Sequence, residues 1–202
     1  MINKKNGFTL IETLLAILIL SVAIAGPLTI ASKGLSAELV AKDQTTAYYL
    51  AQDAVEYVRF VRDSNLLAGN TDWMAGLDGS SNGHTNTGSS GSGYDCTNYS
   101  NYACIVDSIQ DTTSRCTALL CSAPLKYDAV VSYQYGYSAG SNTIFTRSVL
   151  ITCIDSTTNN PTSSCSSTNV HEAIVKVTVQ WVDAGGVTRQ VVISENLFNW
   201  QS

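Results

Sequence analysis

From Thr13 to Ser32 the chain runs for twenty residues without a charge, mostly leucine, isoleucine, alanine and valine. As a helix rising about 1.5 Å per residue, that run is about 30 Å long, the thickness of a bilayer core. Lys4 and Lys5 stand ahead of it. Positive charge on that flank keeps the N-terminus cytoplasmic and sends the remaining chain outward. A cleaved secretory signal would have a shorter apolar core with a small-residue site behind it, which Ala23-Ile24-Ala25 loosely offers. A plain one-span anchor would need nothing more than the run itself. Neither reading accounts for Glu12, a carboxylate at the edge of the apolar run, where burial in lipid is costly. Neither accounts for the abrupt Gly7-Phe8 junction ahead of that run.

Gly7-Phe8-Thr9-Leu10-Ile11-Glu12, with the lysines before it and the apolar run after it, resembles the class III signal of type IV pilins and type II secretion pseudopilins. The resemblance covers residues 3–31. It implies that a prepilin peptidase removes 1–7 as a leader, cutting between Gly7 and Phe8, and N-methylates Phe8. It also implies that the apolar helix stays on the mature protein. In a filament, the Glu12 carboxylate of one subunit would then meet the Phe8 amine of a neighbour. A charge buried alone is costly and a paired one much less so, so the pair favours correct register. Gly26-Pro27 lies inside the run, and proline there removes a backbone hydrogen bond. It marks either a static kink or a point where the helix loosens.

Beyond the apolar segment, 8–32, the pattern becomes amphipathic over 33–65. Ala47, Leu50, Ala51, Ala54, Val55, Val58 and Val61 recur at three- and four-residue spacing. Glu38, Lys42, Asp43, Asp53, Arg59 and Arg62 fall largely between them. Asp63-Ser64-Asn65 supplies stop chemistry. A helix from Phe8 to Asp63 would be roughly 84 Å long if continuous. Tyr48, Tyr49 and Tyr57 read as core or rim aromatics.

Residues 66–125 read as a loop region that is rich in glycine and serine and carries four of the cysteines. Within 69–93 lie seven glycines among Ser, Asn and Thr. Gly79-Ser80-Ser81-Asn82-Gly83 matches G-x-S-x-G in letters, but no strand precedes it and no helix follows, as a nucleophile elbow requires. Asp78, Ser80 and Asn82 imitate the start of a calcium loop, yet Ser89 stands where the bidentate acid belongs. Asn98-Tyr99-Ser100 is a formal glycosylation sequon. His84 and His171 have no third group for a triad or a metal site. No catalytic constellation, metal site or cofactor is expected.

Charged residues make up 13% of the chain, against about 25% in typical domains, as suits a surface outside the cell. Net charge is −5, so nucleic acid is not an expected partner. Losing Lys4 and Lys5 with the leader would leave 9 basic against 16 acidic residues, or −7. Six cysteines with no C-x-x-C, in an exported context, point to disulfides. Local pairs are favoured: Cys96–Cys104, Cys116–Cys121 and Cys153–Cys165. The last would clamp a loop between two strands, and partners could exchange between the first two. Each bridge would contribute about 2–4 kcal/mol.

Over 126–202 the pattern alternates with period two. Tyr127, Ala129, Val131, Tyr133, Tyr135 and Tyr137 would share one face of a first strand. A second covers 143–154 after Gly140-Ser141-Asn142. A third places Ala173, Val175, Val177, Val179 and Trp181 on one side. Asp183-Ala184-Gly185-Gly186 turns into a fourth, over 187–198. The expected fold is α+β: a long N-terminal helix, its amphipathic half packed on an antiparallel meander of about four strands. The ending Asn196-Leu197-Phe198-Asn199-Trp200 resembles the tail of minor pilins of the V/I type. The expected function is a minor pilin or pseudopilin. It would wait in the inner or cytoplasmic membrane and then assemble with other pilin subunits through an assembly platform. The resulting filament would serve adhesion, motility, DNA uptake or secretion. The alternative is a membrane-anchored extracellular binding module that never polymerises.

Overall fold

The computed structural model describes residues 9–77, 85–86, 96–97, 102–116, 118–162, 165 and 167–200. The chain forms two compact units, Met1–Asp43 and Gln44–Ser202. One helix, α1 (Leu10–Leu67), contributes to both. In the second unit its buried residues are Ala47, Leu50, Ala51, Ala54, Val55, Tyr57, Val58, Val61, Asn65 and Leu66. This is the stripe the three- and four-residue spacing predicts. Tyr57 belongs to the core, whereas Tyr48 and Tyr49 are exposed.

The helix does not stop at Asp63-Ser64-Asn65. It runs to Leu67 and ends on Gly69, whose φ of 71° lets its N–H reach the Leu66 carbonyl at 3.0 Å. Asn65 is instead buried inside the last turn. Its amide donates to the carbonyls of Trp73 (3.3 Å) and Ala75 (2.8 Å), tying the following segment to the helix. An asparagine whose amide has buried carbonyls to satisfy no longer competes with its own helix.

The sheet has nine strands among the described residues. They are β1 (Thr85–Asn86), β2 (Cys104–Asp107), β3 (Thr112–Arg115), β4 (Pro124–Tyr127), β5 (Tyr135–Gly136), β6 (Ser141–Asp155), β7 (Asn160–Thr162), β8 (Val170–Val182) and β9 (Thr188–Phe198). The long strands β6, β8 and β9 form an antiparallel meander. The other edge of β6 is shared by short strands in succession: β4 near its start, β2 at Val149 and β7 at Cys153–Asp155. All pairs are antiparallel except β1 with β3. The fold is α+β, with more strands than the sequence pattern shows. The core joins the helix stripe to Phe145, Val149, Ile151 and Cys153 of β6 and to Ala173, Val175, Val177, Val179 and Trp181 of β8.

Two stretches differ from expectation. Within 66–125, β2, β3 and β4 are strands rather than loop. They are four residues each, too short to show a readable alternation, and in β3 (Thr-Thr-Ser-Arg) pairing supplies what hydrophobic patterning does not. Tyr127 to Tyr137 is not one strand but a hairpin, β4–turn–β5. Asp128 breaks the run, because its carboxylate accepts the N–H groups of Val130, Val131 and Ser132 and the Ser132 hydroxyl. Val130 and Val131 are therefore exposed rather than packed. Gly140 lies in the turn from β5 into β6 at φ 96°, where a Cβ would lie 2.3 Å from the Tyr127 carbonyl oxygen.

Aspartates cap two further turns. Asp155 accepts from the Thr157 hydroxyl and the N–H groups of Thr157 and Thr158. Asp183 accepts from the N–H groups of Val187 and Gly185 and pairs with Arg189 at 2.6 Å. These bonds favour the charged form and hold all three carboxyls below their usual value of 3.8: the Val130 amide first for Asp128, the Thr157 hydroxyl for Asp155, the Val187 amide for Asp183. A carboxyl depressed in the folded state adds stability above its unfolded pKa and loses it as pH falls through the folded one. The melting temperature should hold from neutrality to about pH 5 and fall below about pH 4. Asp183→Asn should flatten part of that fall in a melting series against pH. An identical acid limb in the variant would count against the turn.

Candidate functional site

The described part of the N-terminal segment starts at Thr9, whose carbonyl accepts the N–H groups of Glu12 (3.1 Å) and Thr13 (3.3 Å) and so opens α1. Glu12 lies in the first turn, where the helix dipole favours a negative charge. Gly7 and Phe8 lie outside the described residues. Leu10, Ile11, Leu14, Leu15, Ile17, Leu18, Ile19, Leu20, Val22, Ile24, Leu28 and Ile30 are all exposed. The most apolar 18-residue window has a mean hydropathy of 2.5, and none of it is buried. At about 25 cal/mol per Å2 such a surface is strongly unfavourable in water. By length and composition it can cross a membrane.

Hydroxyls in this stretch are matched to that environment. Thr13, Ser21, Thr29, Ser32 and Ser36 each donate to a helix carbonyl three or four residues back, at 2.8–3.2 Å. No water is then needed to satisfy them. The helix is continuous through Gly26 and Pro27.

In the second unit the cysteines pair in chain order: Cys96–Cys104, Cys116–Cys121 and Cys153–Cys165, with Cα separations of 5.4, 5.4 and 5.5 Å. The first lies where the Ile151 N–H of β6 meets the Cys96 carbonyl at 3.3 Å, and the third joins β6 to the segment beyond β7. The bridges thus hold polar connecting chain against the central strand.

Sequence reasoning missed Arg147. It occupies an inward-facing position of β6 between Phe145 and Val149 and is 1% exposed. One guanidinium nitrogen donates to the Leu50 carbonyl (2.8 Å) and to the Asp53 carboxylate (2.6 Å), both on α1. The other terminal nitrogen donates to the Val106 carbonyl of β2 at 2.6 Å. The Tyr137 ring stands 5.9 Å from the guanidinium carbon, and burial raises the Tyr137 phenol above its usual value. Asp53 also accepts from the Ser108 hydroxyl at 3.0 Å. One side chain therefore ties helix, β2 and β6 together. Its signal was available: an arginine at an inward position of an otherwise apolar alternation.

Gly79 to Gly83, Asp78, Ser89, His84 and Asn98-Tyr99-Ser100 lie outside the described residues. His171 sits in β8, and its carbonyl accepts the Asn199 N–H at 2.9 Å. No group of three potential metal ligands occurs among the described residues.

The family model for the prokaryotic N-terminal methylation motif matches residues 2–26. The chain carries the class III signal of type IV pilins and pseudopilins. The match coincides with the lysines, the Gly7-Phe8 junction, Glu12 and most of the apolar helix. No curated protein and no solved structure matches the chain. The motif, the apolar helix and the disulfide-bonded sheet together describe a processed, pilin-like protein, and the motif points to a structural role.

Proposed function

We propose that this pilin-like chain is a minor pilin or pseudopilin, a non-enzymatic subunit of a type IV pilus or related filament. Prepilin peptidase removes residues 1–7 and methylates Phe8. The protein waits in the inner membrane with its N-terminus cytoplasmic, and the assembly platform then extracts it into a filament with other pilin subunits. The observation that carries this reading is the coincidence of the methylation motif at 2–26 with an exposed apolar helix that retains Glu12. Gly26-Pro27 supplies a point where the helix loosens inside the filament. The filament serves adhesion, motility, DNA uptake or secretion.

Mass spectrometry of protein from sheared surface filaments tests the reading. The expected N-terminal peptide begins at N-methylated Phe8, and its abundance relative to other pilins should be low for a minor subunit. A mature N-terminus at any other residue overturns the assignment.

A further inference from the structure

The second unit presents a groove of about 810 Å3 that neither processing nor assembly through the N-terminal helix uses. It lies between one flank of α1, the β2–β3 turn and the β4–β5 hairpin. Its lining includes Tyr49, Asp53, Ser108, Tyr133, Gln134 and Tyr135. The volume falls within the range of small-molecule sites, about 300–1,000 Å3. Tyr49 and Tyr133 are 65% and 67% exposed. Large aromatic faces held open to solvent in a concave site are surfaces on which a ligand can stack.

The wall is held in place. Tyr133 has a φ of 55°, a left-handed backbone that a bulky residue rarely adopts. The loop before it is pinned by the Asp128 carboxylate. Tyr135 leans on Tyr127 with ring centroids 4.9 Å apart. Asp53 is fixed by Arg147 and Ser108 and keeps 43% of its side chain exposed.

Charge and polarity select the ligand. Among the described residues that line the groove, Asp53 is the only charged side chain, and Arg147 already balances it. No lysine or arginine among the described lining residues offers an anionic ligand a counter-charge, and the Asp53 carboxylate is already paired with Arg147. The remaining polar groups are hydroxyls and one amide, which both donate and accept. The adjacent sheet edge, β5, is only two residues long, too short to template a peptide strand. Exposed aromatic faces, neutral hydroxyl-rich walls and one oriented carboxylate fit a molecule with apolar ring faces and a periphery of hydroxyls.

We propose that this groove binds an uncharged saccharide, with Tyr49 and Tyr133 stacking on sugar rings and Asp53 accepting from sugar hydroxyls. The proposal does not depend on the filament reading, since a non-polymerising anchored protein would carry the same groove.

The test uses full-length protein in detergent and neutral hexasaccharides of glucose, galactose and N-acetylglucosamine, with oligogalacturonate as the acidic control. Saturation-transfer NMR reports contact with sugar protons, and titration gives affinity. At least one neutral hexasaccharide should bind and oligogalacturonate should not. Tyr49→Ala should weaken binding about tenfold. Tyr133→Gly should weaken it to the same extent while leaving the melting temperature equal or higher, because glycine relieves the left-handed backbone. Failure of all three neutral sugars to bind overturns the proposal. So does binding that both variants leave unchanged, or a photo-crosslinker at Tyr133 that captures a second copy of the chain in filaments.

Discussion

Arg147→Ala should destabilise the sheet-bearing unit by about 3–4 kcal/mol, from the cavity its buried side chain leaves and the carbonyls that lose a charged donor, the remaining Asp53 carboxylate being 43% exposed and open to solvent. The guanidinium is 1% exposed and makes close contacts to Leu50, Asp53 and Val106. Its loss leaves a cavity in the plane of the core and the Val106 carbonyl without its donor. Against a total stability of about 5–15 kcal/mol this is a large fraction. The expected fall in melting temperature is roughly 10 °C for a unit of this size. Asp53→Ala should cost about 3 kcal/mol alone, since it strands a buried cation. Added to Arg147→Ala it should cost under about 1 kcal/mol, because the partner is already gone. Circular-dichroism melts of the four proteins close this cycle. Simple additivity would show that the pair is not coupled and that Arg147 acts through its carbonyl contacts alone.

Glu12→Ala should remove the protein from sheared filaments while leaving its membrane level and its processing at Gly7-Phe8 unchanged. On the proposed assembly role, the new Phe8 amine enters an apolar filament core and needs a carboxylate partner. Leaving that amine unpaired costs about 3–5 kcal/mol per subunit, which is more than a hundredfold in incorporation. Membrane insertion is governed by the uncharged run Thr13–Ser32, which the substitution does not touch. Quantitative immunoblotting of membrane and sheared fractions separates the two effects. Equal incorporation of variant and wild type would sink the role assigned to Glu12. Loss of processing together with incorporation would place Glu12 in peptidase recognition instead.

The membrane-length helix and the amphipathic stripe were readable because both are local periodic signals. A twenty-residue uncharged run and a three- and four-residue repeat each need only neighbouring residues to declare themselves. The third strand read cleanly for the same reason: Ala173, Val175, Val177, Val179 and Trp181 alternate without interruption and are all buried. The tyrosine run failed because alternation continues across a turn. Asp128 makes hydrogen bonds to Val130, Val131 and Ser132 that reverse the chain in mid-pattern. The helix end was misread because Asn65, a residue that usually stops helices, has its amide bound by the carbonyls of Trp73 and Ala75.

Local order along the chain thus settled the processing signal at residues 2–26, the apolar helix and the strand-rich C-terminal region, since each depends on composition and spacing within one segment. Tertiary structure decided the rest: the short strands paired along the second edge of β6, the buried Arg147 bridging three elements, and the tyrosine-lined groove. Those features join residues far apart in sequence, such as Leu50 with Arg147 and Tyr49 with Tyr133. No periodicity reports such contacts, because the partners that satisfy a short polar strand or a buried cation are supplied only when the helix closes on the sheet.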